Sequence, residues 1–384
     1  MSTNNQELFF ELLRTGLWEN TTVHDSSTSE AAGPSAWFTI HGSVNFDWNE
    51  VYQLAEEQSV IGLVLAGIEK TNTNRTDNTN RVPQELLLQW IGEVQILEQQ
   101  NKAMNLFIAE LIEKLRNADI YTLLVKGQGI AQCYERPLWR ACGDVDLLLS
   151  ADNYEKAKSF LTPLANHVDP EERVMKHLGM TMGEWIVELH GTMHTEISPK
   201  VNRGVDEAQD ACFKSGGVRS WNNSGTNILL PSPDNDLILV FTHILEHFFV
   251  EGVGLRQVCD WCRLLWTYRS ELDLQLLESR IRKMGLMSIW KAFGALAVDV
   301  LGMPKEAMPF YDARYKSKCV RVLERILKSG NMGHNNDLSY HEKYSGLTYK
   351  LVALWRRMKD FAGFTRIFPI DAPKFFVHYV FSKI

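Results

Sequence analysis

The sequence predicts an α+β fold in which a mixed β-sheet core lies between two helical regions. Amphipathic helical patterns fill residues 1–117 and 232–384, whereas short apolar runs alternate with helices over residues 118–231. We therefore expect an N-terminal helical region, a compact α+β core, and a C-terminal helical domain that ends in a basic aromatic tail.

The N-terminal region is expected to be helical. One face of its first helix is apolar and consists of Leu8, Phe9, Leu12 and Leu13. A second helix is expected from Trp48 to about Glu69, and the polar residues 71–80 predict a loop. Pro83 then opens a long amphipathic helix over roughly residues 84–117.

The central region contains three runs that favour strands, at residues 121–125, 145–149 and 185–190. Short helices are expected near residues 130–134 and over about residues 153–164. Residues 194–197 are expected either to extend the third strand or to pair with it. From Pro233 onward, helical patterns dominate again.

The charge of the chain limits the classes of partner, and its cysteines are expected to have a structural role. The chain carries a net charge of −7, and residues 301–384 hold 15 Lys+Arg against 7 Asp+Glu, so the first 300 residues carry −15. A long nucleic acid is therefore not an expected partner, because phosphate-backbone binding needs a basic face. Cys259 and Cys262 are expected to be buried structural residues. With no signal peptide or membrane span in view, we expect a cytoplasmic protein.

Asp144 and Asp146 are the main candidate metal ligands in the sequence. They stand at i and i+2 of a predicted strand, so their carboxylates share one side while Val145 points into the sheet. Two carboxylates this close repel each other, and a hard cation such as Mg²⁺ would relieve that repulsion. A phosphoryl-transfer site needs such a cation to hold the triphosphate. Gly127, in the break after the first strand, would let backbone N–H groups approach the phosphates.

These residues resemble the nucleotidyltransferase superfamily with a DNA polymerase beta-like fold, and in particular a bacterial, largely uncharacterised branch of it. The resemblance covers roughly residues 45–300. It rests on Leu124-Val125-Lys126-Gly127, Tyr134, Arg140, Gly143-Asp144-Val145-Asp146-Leu147-Leu148, Val187-Glu188-Leu189-His190, His243 and the Arg256 to Asp260 region. The sequence departs from the superfamily at Gln128, where a serine is usual, and in the longer gap from Gly127 to Asp144.

The resemblance implies a nucleotidyltransferase-like core and a role for each matching residue. Asp144 and Asp146 would bind Mg²⁺, or Mn²⁺ in its place, and Glu188 would complete the acidic triad and is a candidate general base. Lys126 and Arg140 would stabilise phosphate charge. The implied nucleotide-binding residues are Lys126, Gly127, Gln128, Arg140, His190 and His243.

Some of these residues also have structural interpretations. Lys126 and Arg140 could be surface cations or could pair with the acidic cluster. His190 and His194 have the i, i+4 spacing of a helical zinc pair, but the surrounding pattern favours a strand. His243 could belong to an ordinary amphipathic helix face.

Two further features of the C-terminal region stay open. Arg256 and Asp260 are either an i, i+4 helix pair or residues at a cleft between domains. The tail mixes basic and aromatic residues over 355–359 and 375–381. It is expected to pack on the helical domain, or else to meet an anionic membrane surface or a protein partner.

The predicted function is Mg²⁺-dependent transfer of a nucleoside monophosphate from an NTP to a hydroxyl or phosphate, with release of pyrophosphate. The acidic core favours a small-molecule, sugar or protein acceptor. Two alternatives keep the same fold. One is a catalytically silent nucleotide-binding or interaction module, and the other is a kinase that transfers a phosphoryl group.

Overall fold

The N-terminal helices largely follow the sequence prediction. The structure is a computed structural model that describes residues 3–18, 46–72, 81–331 and 346–382, and it confirms the α+β class. The helices before the sheet are α1 (Thr3–Leu17), α2 (Trp48–Glu57), α3 (Ile61–Asn72) and α4 (Gln84–Asn117). The single helix predicted from Trp48 to Glu69 is wrong, because the chain breaks between α2 and α3, where Ser59 has a φ of +55°. A loop was predicted from residue 71, but α3 includes residues 71 and 72, and residues 73–80 lie outside the described residues.

The sheet has five strands in the order β1-β2-β5-β4-β3. The strands are β1 (Thr122–Val125), β2 (Asp144–Leu149), β3 (His167–Val168), β4 (His177–Met182) and β5 (Trp185–His190). β2 and β5 run parallel, and the other neighbours are antiparallel. The three predicted strands are confirmed as β1, β2 and β5, whereas β3 and β4 were not predicted. Residues 194–197 form no strand, so the pairing expected for them is wrong.

Short helices and a hairpin complete the core. They are α5 (Gly127–Ala131), α6 (Ala151–Leu161), α7 (Pro199–Lys214), β6 (Val218–Asn223) and β7 (Thr226–Pro231). α6 begins after an N-cap at Ser150. β6 and β7 form a separate antiparallel pair.

The C-terminal region is helical, as predicted. Its helices are α8 (Pro233–Val250), α9 (Leu255–Thr267), α10 (Leu274–Met284), α11 (Met287–Ala295), α12 (Lys316–Ser329), α13 (Gly346–Thr365) and α14 (Asp371–Ser382). The tail packs back on α8, where the ring of Phe249 contacts Phe361, Phe364, Phe368 and Phe375. Contact of the tail with a membrane or a partner stays a prediction. Among the described helices, none combines the length and apolar character that crossing a membrane requires.

The two faces of the sheet have different surroundings, and this difference positions the site. Val145, Leu147 and Leu149 of β2 share an apolar cluster with α4 and α6. Leu148 belongs instead to a larger cluster that contains residues of both the N-terminal and the C-terminal helices. Because strand side chains alternate, Asp144 and Asp146 lie on the same face as Leu148, toward the C-terminal helices.

The N-terminal helices join this larger core through a close crossing of α1 and α3. A Cβ atom on Gly16 would lie 1.8 Å from the carbonyl oxygen of Leu63, and one on Gly67 would lie 2.0 Å from that of Leu12. Neither position has room for a side chain. Glycine at both positions therefore allows the two helix backbones to approach each other directly.

Candidate active site

Three carboxylates converge at the centre of the sheet. β2 and β5 are parallel neighbours, and their register places Asp146 directly beside Glu188. Asp144 lies two residues before Asp146 on the same face. Oxygen atoms of all three carboxylates lie within 4.8 Å of one another, and Asp146 is almost fully buried, with 1% of its surface exposed. The structure thus brings together the acidic triad that the sequence predicted.

Lys126 supplies a positive charge to this triad. It follows β1 directly, and its Nζ atom lies 2.6 Å from Oδ1 of Asp146. Its backbone has a φ of +55°, and Gly127 follows with a φ of +38°. A positive φ is strained for a lysine, and such strain is concentrated at functional sites. The sharp turn directs the ammonium group back over the acidic cluster.

Two histidines border Glu188. Nε2 of His190 lies 2.8 Å from Oδ1 of Asp146 and 3.5 Å from Oε2 of Glu188. Nε2 of His177 lies 3.2 Å from the same Glu188 oxygen. His177 and His190 are cross-strand partners on β4 and β5, and their rings stack with centroids 4.8 Å apart.

The charges in this cluster depend on one another. The charge of Asp146, and then burial, raise the pKa of Asp144 above its usual range. Burial opposes ionisation of Asp146 and Glu188, but Lys126 and the imidazoles hold the pKa of both carboxyls low. Burial likewise opposes charge on Lys126 and His190, but the carboxylates raise the pKa of both. The three acids are therefore balanced by a lysine and by imidazoles.

A line of polar side chains leads from Lys126 to the protein surface along α8. Nζ of Lys126 lies 3.5 Å from Nε2 of His243, which lies 3.0 Å from Nε2 of His247. Nδ1 of His247 lies 2.8 Å from a carboxylate oxygen of Glu251. Burial, and then the charge of Lys126, lower the pKa of His243 well below its usual value, so this imidazole is neutral. His243 thus lies beside Lys126 and lines the cavity, and its binding of a nucleotide stays a prediction.

Arg140 is placed differently from its predicted role at the phosphates. Its guanidinium is 4% exposed and donates two hydrogen bonds to Asp260, of 3.0 and 2.6 Å. The hydroxyl of Tyr134 donates to the same carboxylate over 2.7 Å. Asp260 therefore pairs with Arg140, and the expected helix pair between Arg256 and Asp260 is wrong. Arg256 donates instead to the carbonyl of Ala141.

Gln128 points away from the triad. Its side chain is 1% exposed, and its amide donates to Oδ1 of Asn101 on α4 over 2.6 Å. Asn101 in turn donates to the carbonyls of Leu138 and Arg140. The structure thus gives Gln128 a place in the network that anchors the loop before β2, and only its neighbour Gly127 borders the site. His194 also lies apart from the triad and pairs with Asp206 on α7.

The triad opens into a cavity of about 460 Å³. Its walls come from the sheet, from α8 and α9, and from Arg357 and Tyr379 of the C-terminal tail. Several cavity residues were not selected by sequence reasoning, among them His177, His247, Glu246 and Tyr379. The alternation of apolar residues at Leu178, Met180 and Met182 was a signal for β4, although Gly179 weakens it.

The triad fits a hard divalent cation. Carboxylate oxygens are the ligands that Mg²⁺ and Mn²⁺ prefer, and three of them converge here from two strands. The ammonium group of Lys126, 2.6 Å from Asp146, shows that this cluster attracts positive charge. Asp144 and Asp146 at i, i+2 of β2, and Glu188 on the adjoining strand β5, supply the oxygen ligands.

The fold and the site together define a protein of the nucleotidyltransferase class. A family model described as an uncharacterised nucleotidyltransferase matches residues 45–302, about two thirds of the chain. The chain belongs to this family, which confirms the resemblance read from the sequence. Comparison with curated proteins found no match.

A solved structure also resembles the chain. It is an antigenic nucleotidyltransferase-like protein from Paracoccidioides brasiliensis, with 14% sequence identity and a TM-score of 0.31. The similarity covers 47% of this chain and 86% of the other. At that score the similarity adds no weight to the assignment, which rests on the family and on the site.

Proposed function

We propose that the protein is a divalent-metal-dependent nucleotidyltransferase that transfers a nucleoside monophosphate from an NTP to a hydroxyl or phosphate of its acceptor. The observation that carries this proposal is the convergence of Asp144, Asp146 and Glu188 within 4.8 Å at the floor of a cavity. Membership of a nucleotidyltransferase family supports it.

Each residue of the triad has a distinct part in the proposal. Asp144 and Asp146 would hold Mg²⁺ or Mn²⁺, and Glu188 would complete the ligand set. The bound metal would supply the positive charge that offsets the charge of a triphosphate. Because imidazoles and Lys126 hold the pKa of Glu188 low, its carboxylate is a weak base at neutral pH. That favours a ligand role for Glu188 over the general-base role.

Lys126 is the cation of this chain best placed to meet phosphate. Its ammonium group reaches the triad from a strained turn, and its partner Asp146 is the residue that a metal would engage. A metal held by Asp146 would offset the charge of that carboxylate, and Lys126 would then be available to a phosphate oxygen. Arg140 is held by Asp260 and has no part in the proposal.

The cavity favours a compact acceptor. Its volume of about 460 Å³ lies within the range of small-molecule sites. Its walls carry several acids besides the triad, namely Glu172, Glu196, Glu246 and Glu251. Burial raises the pKa of Glu246 to about 7, although the backbone N–H of Glu196 stabilises its charged form. A polyanionic nucleic acid is disfavoured by these walls, whereas a small-molecule, sugar or protein hydroxyl is compatible with them.

The test uses each NTP labelled either at the α-phosphate or at the γ-phosphate. The protein is incubated with Mg²⁺ and a metabolite extract, and label on the extract or on the protein is measured. We expect transfer from the α-label alone. The double variant Asp144→Asn/Asp146→Asn should reduce it by about 10³-fold, because metal charge supplies several kcal/mol. Asp210→Asn, at an exposed surface pair on α7, is the control.

The outcomes separate the candidate functions. Transfer of the γ-label would identify a phosphoryl-transferring kinase and refute the nucleotidyl proposal. Binding of NTP by calorimetry with no transfer of either label would identify a silent nucleotide-binding module. Equal transfer by the wild type and the double variant would show that the triad does not take part in the reaction.

A further inference from the structure

A second group of ligand atoms adjoins the acidic triad and differs from it in chemistry. A ring nitrogen of His177, a ring nitrogen of His190 and a carboxylate oxygen of Glu188 lie within 4.8 Å of one another. Both imidazole nitrogens face the same oxygen, Oε2 of Glu188, at 3.2 and 3.5 Å. The group therefore offers two nitrogen donors and one oxygen donor around a single point.

The spacing of these atoms matches a metal coordination sphere. In a tetrahedral site with metal–ligand distances of about 2.1 Å, neighbouring ligand atoms lie about 3.4 Å apart. The nitrogen-to-oxygen distances of 3.2 and 3.5 Å fall on either side of that value. Nε2 of His190 also contacts Oδ1 of Asp146 at 2.8 Å, so metal binding requires this nitrogen to exchange Asp146 for the ion.

The backbone fixes the arrangement. His177 and His190 are direct cross-strand partners on β4 and β5, and Glu188 stands two residues before His190 on the same face. The stacked rings restrict each other's orientation. A site on paired strands is more precisely held than one on loops.

The remaining coordination position faces the cavity. His177, Glu188 and His190 all line it, and their side chains are 30%, 26% and 11% exposed. Three protein ligands with an open position are typical of a catalytic metal site, whereas structural zinc sites are closed by four. The donor set also differs from that of the triad, since imidazole suits transition metals and carboxylate suits Mg²⁺.

The geometry points to a second metal site, formed by His177, His190 and Glu188, that takes a first-row transition-metal dication such as Zn²⁺. It lies beside the oxygen-only site of Asp144 and Asp146, and Glu188 is common to both. The inference rests on the proposed function only through that shared carboxylate. Nε2 of His190, which contacts Asp146 at 2.8 Å, would turn to this metal, and Asp146 would keep either Lys126 or the cation of the triad as its partner. The active site would then hold two cations of different chemical class.

The first experiment measures Zn²⁺ and Mg²⁺ affinity of the metal-free full chain by equilibrium dialysis and calorimetry. His177→Ala should weaken Zn²⁺ binding by about 100-fold or more, because one of three ligands is lost. Mg²⁺ affinity should stay within about threefold, because imidazole is not a ligand it prefers. The matched control is His167→Ala, an exposed histidine on β3 paired with Asp169. Unchanged Zn²⁺ affinity in His177→Ala would overturn the inference.

The second experiment needs no variant. Anomalous diffraction at the zinc absorption edge from Zn²⁺-soaked wild-type crystals should place one ion between the three side chains. An ion bound elsewhere, or none, would overturn the inference even if His177→Ala failed to fold. A zinc ion at this position without nucleotide transfer would refute only the proposed function. Transfer that requires Mg²⁺, with no zinc at this position, would refute only the second site.

Discussion

The buried ion pair between Arg140 and Asp260 yields the sharpest test of how the site is held together. Both side chains are 4% exposed, and the pair links the loop before β2 to α9. Burial disfavours charge on Arg140, but Asp260 raises its pKa, so the guanidinium stays charged. Replacing Asp260 with Asn would therefore leave a buried charge without its counter-ion.

The expected loss of folding stability in Asp260→Asn follows from that uncompensated charge. Breaking one side of a buried pair typically destabilises a protein by about 3–5 kcal/mol. Asp260→Asn keeps Oδ1 to accept from Tyr134 and from Nε of Arg140, but an NH2 group replaces Oδ2, so the loss combines the missing charge with one hydrogen bond from Nη2 of Arg140. We expect the free energy of unfolding in urea to fall by about 3 kcal/mol or more, and the melting temperature to fall by about 4 °C or more.

Two comparisons make this prediction refutable. The double variant Arg140→Met/Asp260→Asn removes the charge as well as its partner, and it should be more stable than Asp260→Asn by about 2 kcal/mol. Glu278→Gln breaks the exposed pair with Arg282 and should cost about 1 kcal/mol or less. A loss below about 1 kcal/mol in Asp260→Asn, or a double variant no more stable than the single one, would contradict the reasoning.

Three other predictions concern the metal, the pH and the helix crossing. Mg²⁺ at 100 times its dissociation constant should stabilise the wild type by about 2.7 kcal/mol in thermal melts. The same Mg²⁺ concentration should leave the stability of Asp144→Asn/Asp146→Asn unchanged. Equal stabilisation of the variant would show that the cation binds elsewhere. The pKa of His190 is raised above 6.5 in the folded protein, so its stabilising effect is complete below that pH and is lost as the pH rises through the raised value. Melts of the metal-free protein across that range should show this loss, and His190→Gln should reduce it. Gly67→Ala should lower the free energy of unfolding by about 1–3 kcal/mol or more, because its Cβ meets a backbone carbonyl of α1. Gly92→Ala, whose Cβ would have no atom within 4 Å, should raise that free energy by about 0.5–1 kcal/mol. Equal effects of the two substitutions in urea titrations would contradict the close crossing of α1 and α3.

The sequence predicted best where a pattern depends on neighbours along the chain. The long helix over residues 84–117 was placed at the bounds the structure shows, because Pro83 and the helical periodicity are local signals. The predicted apolar face of α1 is buried, with at most 2% of Leu8, Phe9, Leu12 or Leu13 exposed. Cys259 and Cys262 are fully buried, as expected for structural residues.

Prediction failed where a residue's role depends on a distant partner. Arg140 and Asp260 are 120 positions apart, so their pairing could not be read from spacing. Gln128 was assigned to the nucleotide because of its place after Gly127, but its amide meets Asn101 on α4. His177 was not selected because β4 was missed, and only the β4–β5 register brings it to Glu188.

The sequence by itself determined the family, the α+β class, and the pair of carboxylates at Asp144 and Asp146, since i and i+2 share a strand face in any register. The tertiary structure placed Glu188, which the family resemblance had implied, beside them through the parallel pairing of Asp146 with Glu188. It also placed Lys126, His177 and His190 against these carboxylates. The reason is that contacts across a sheet depend on register and topology, which local sequence patterns do not specify.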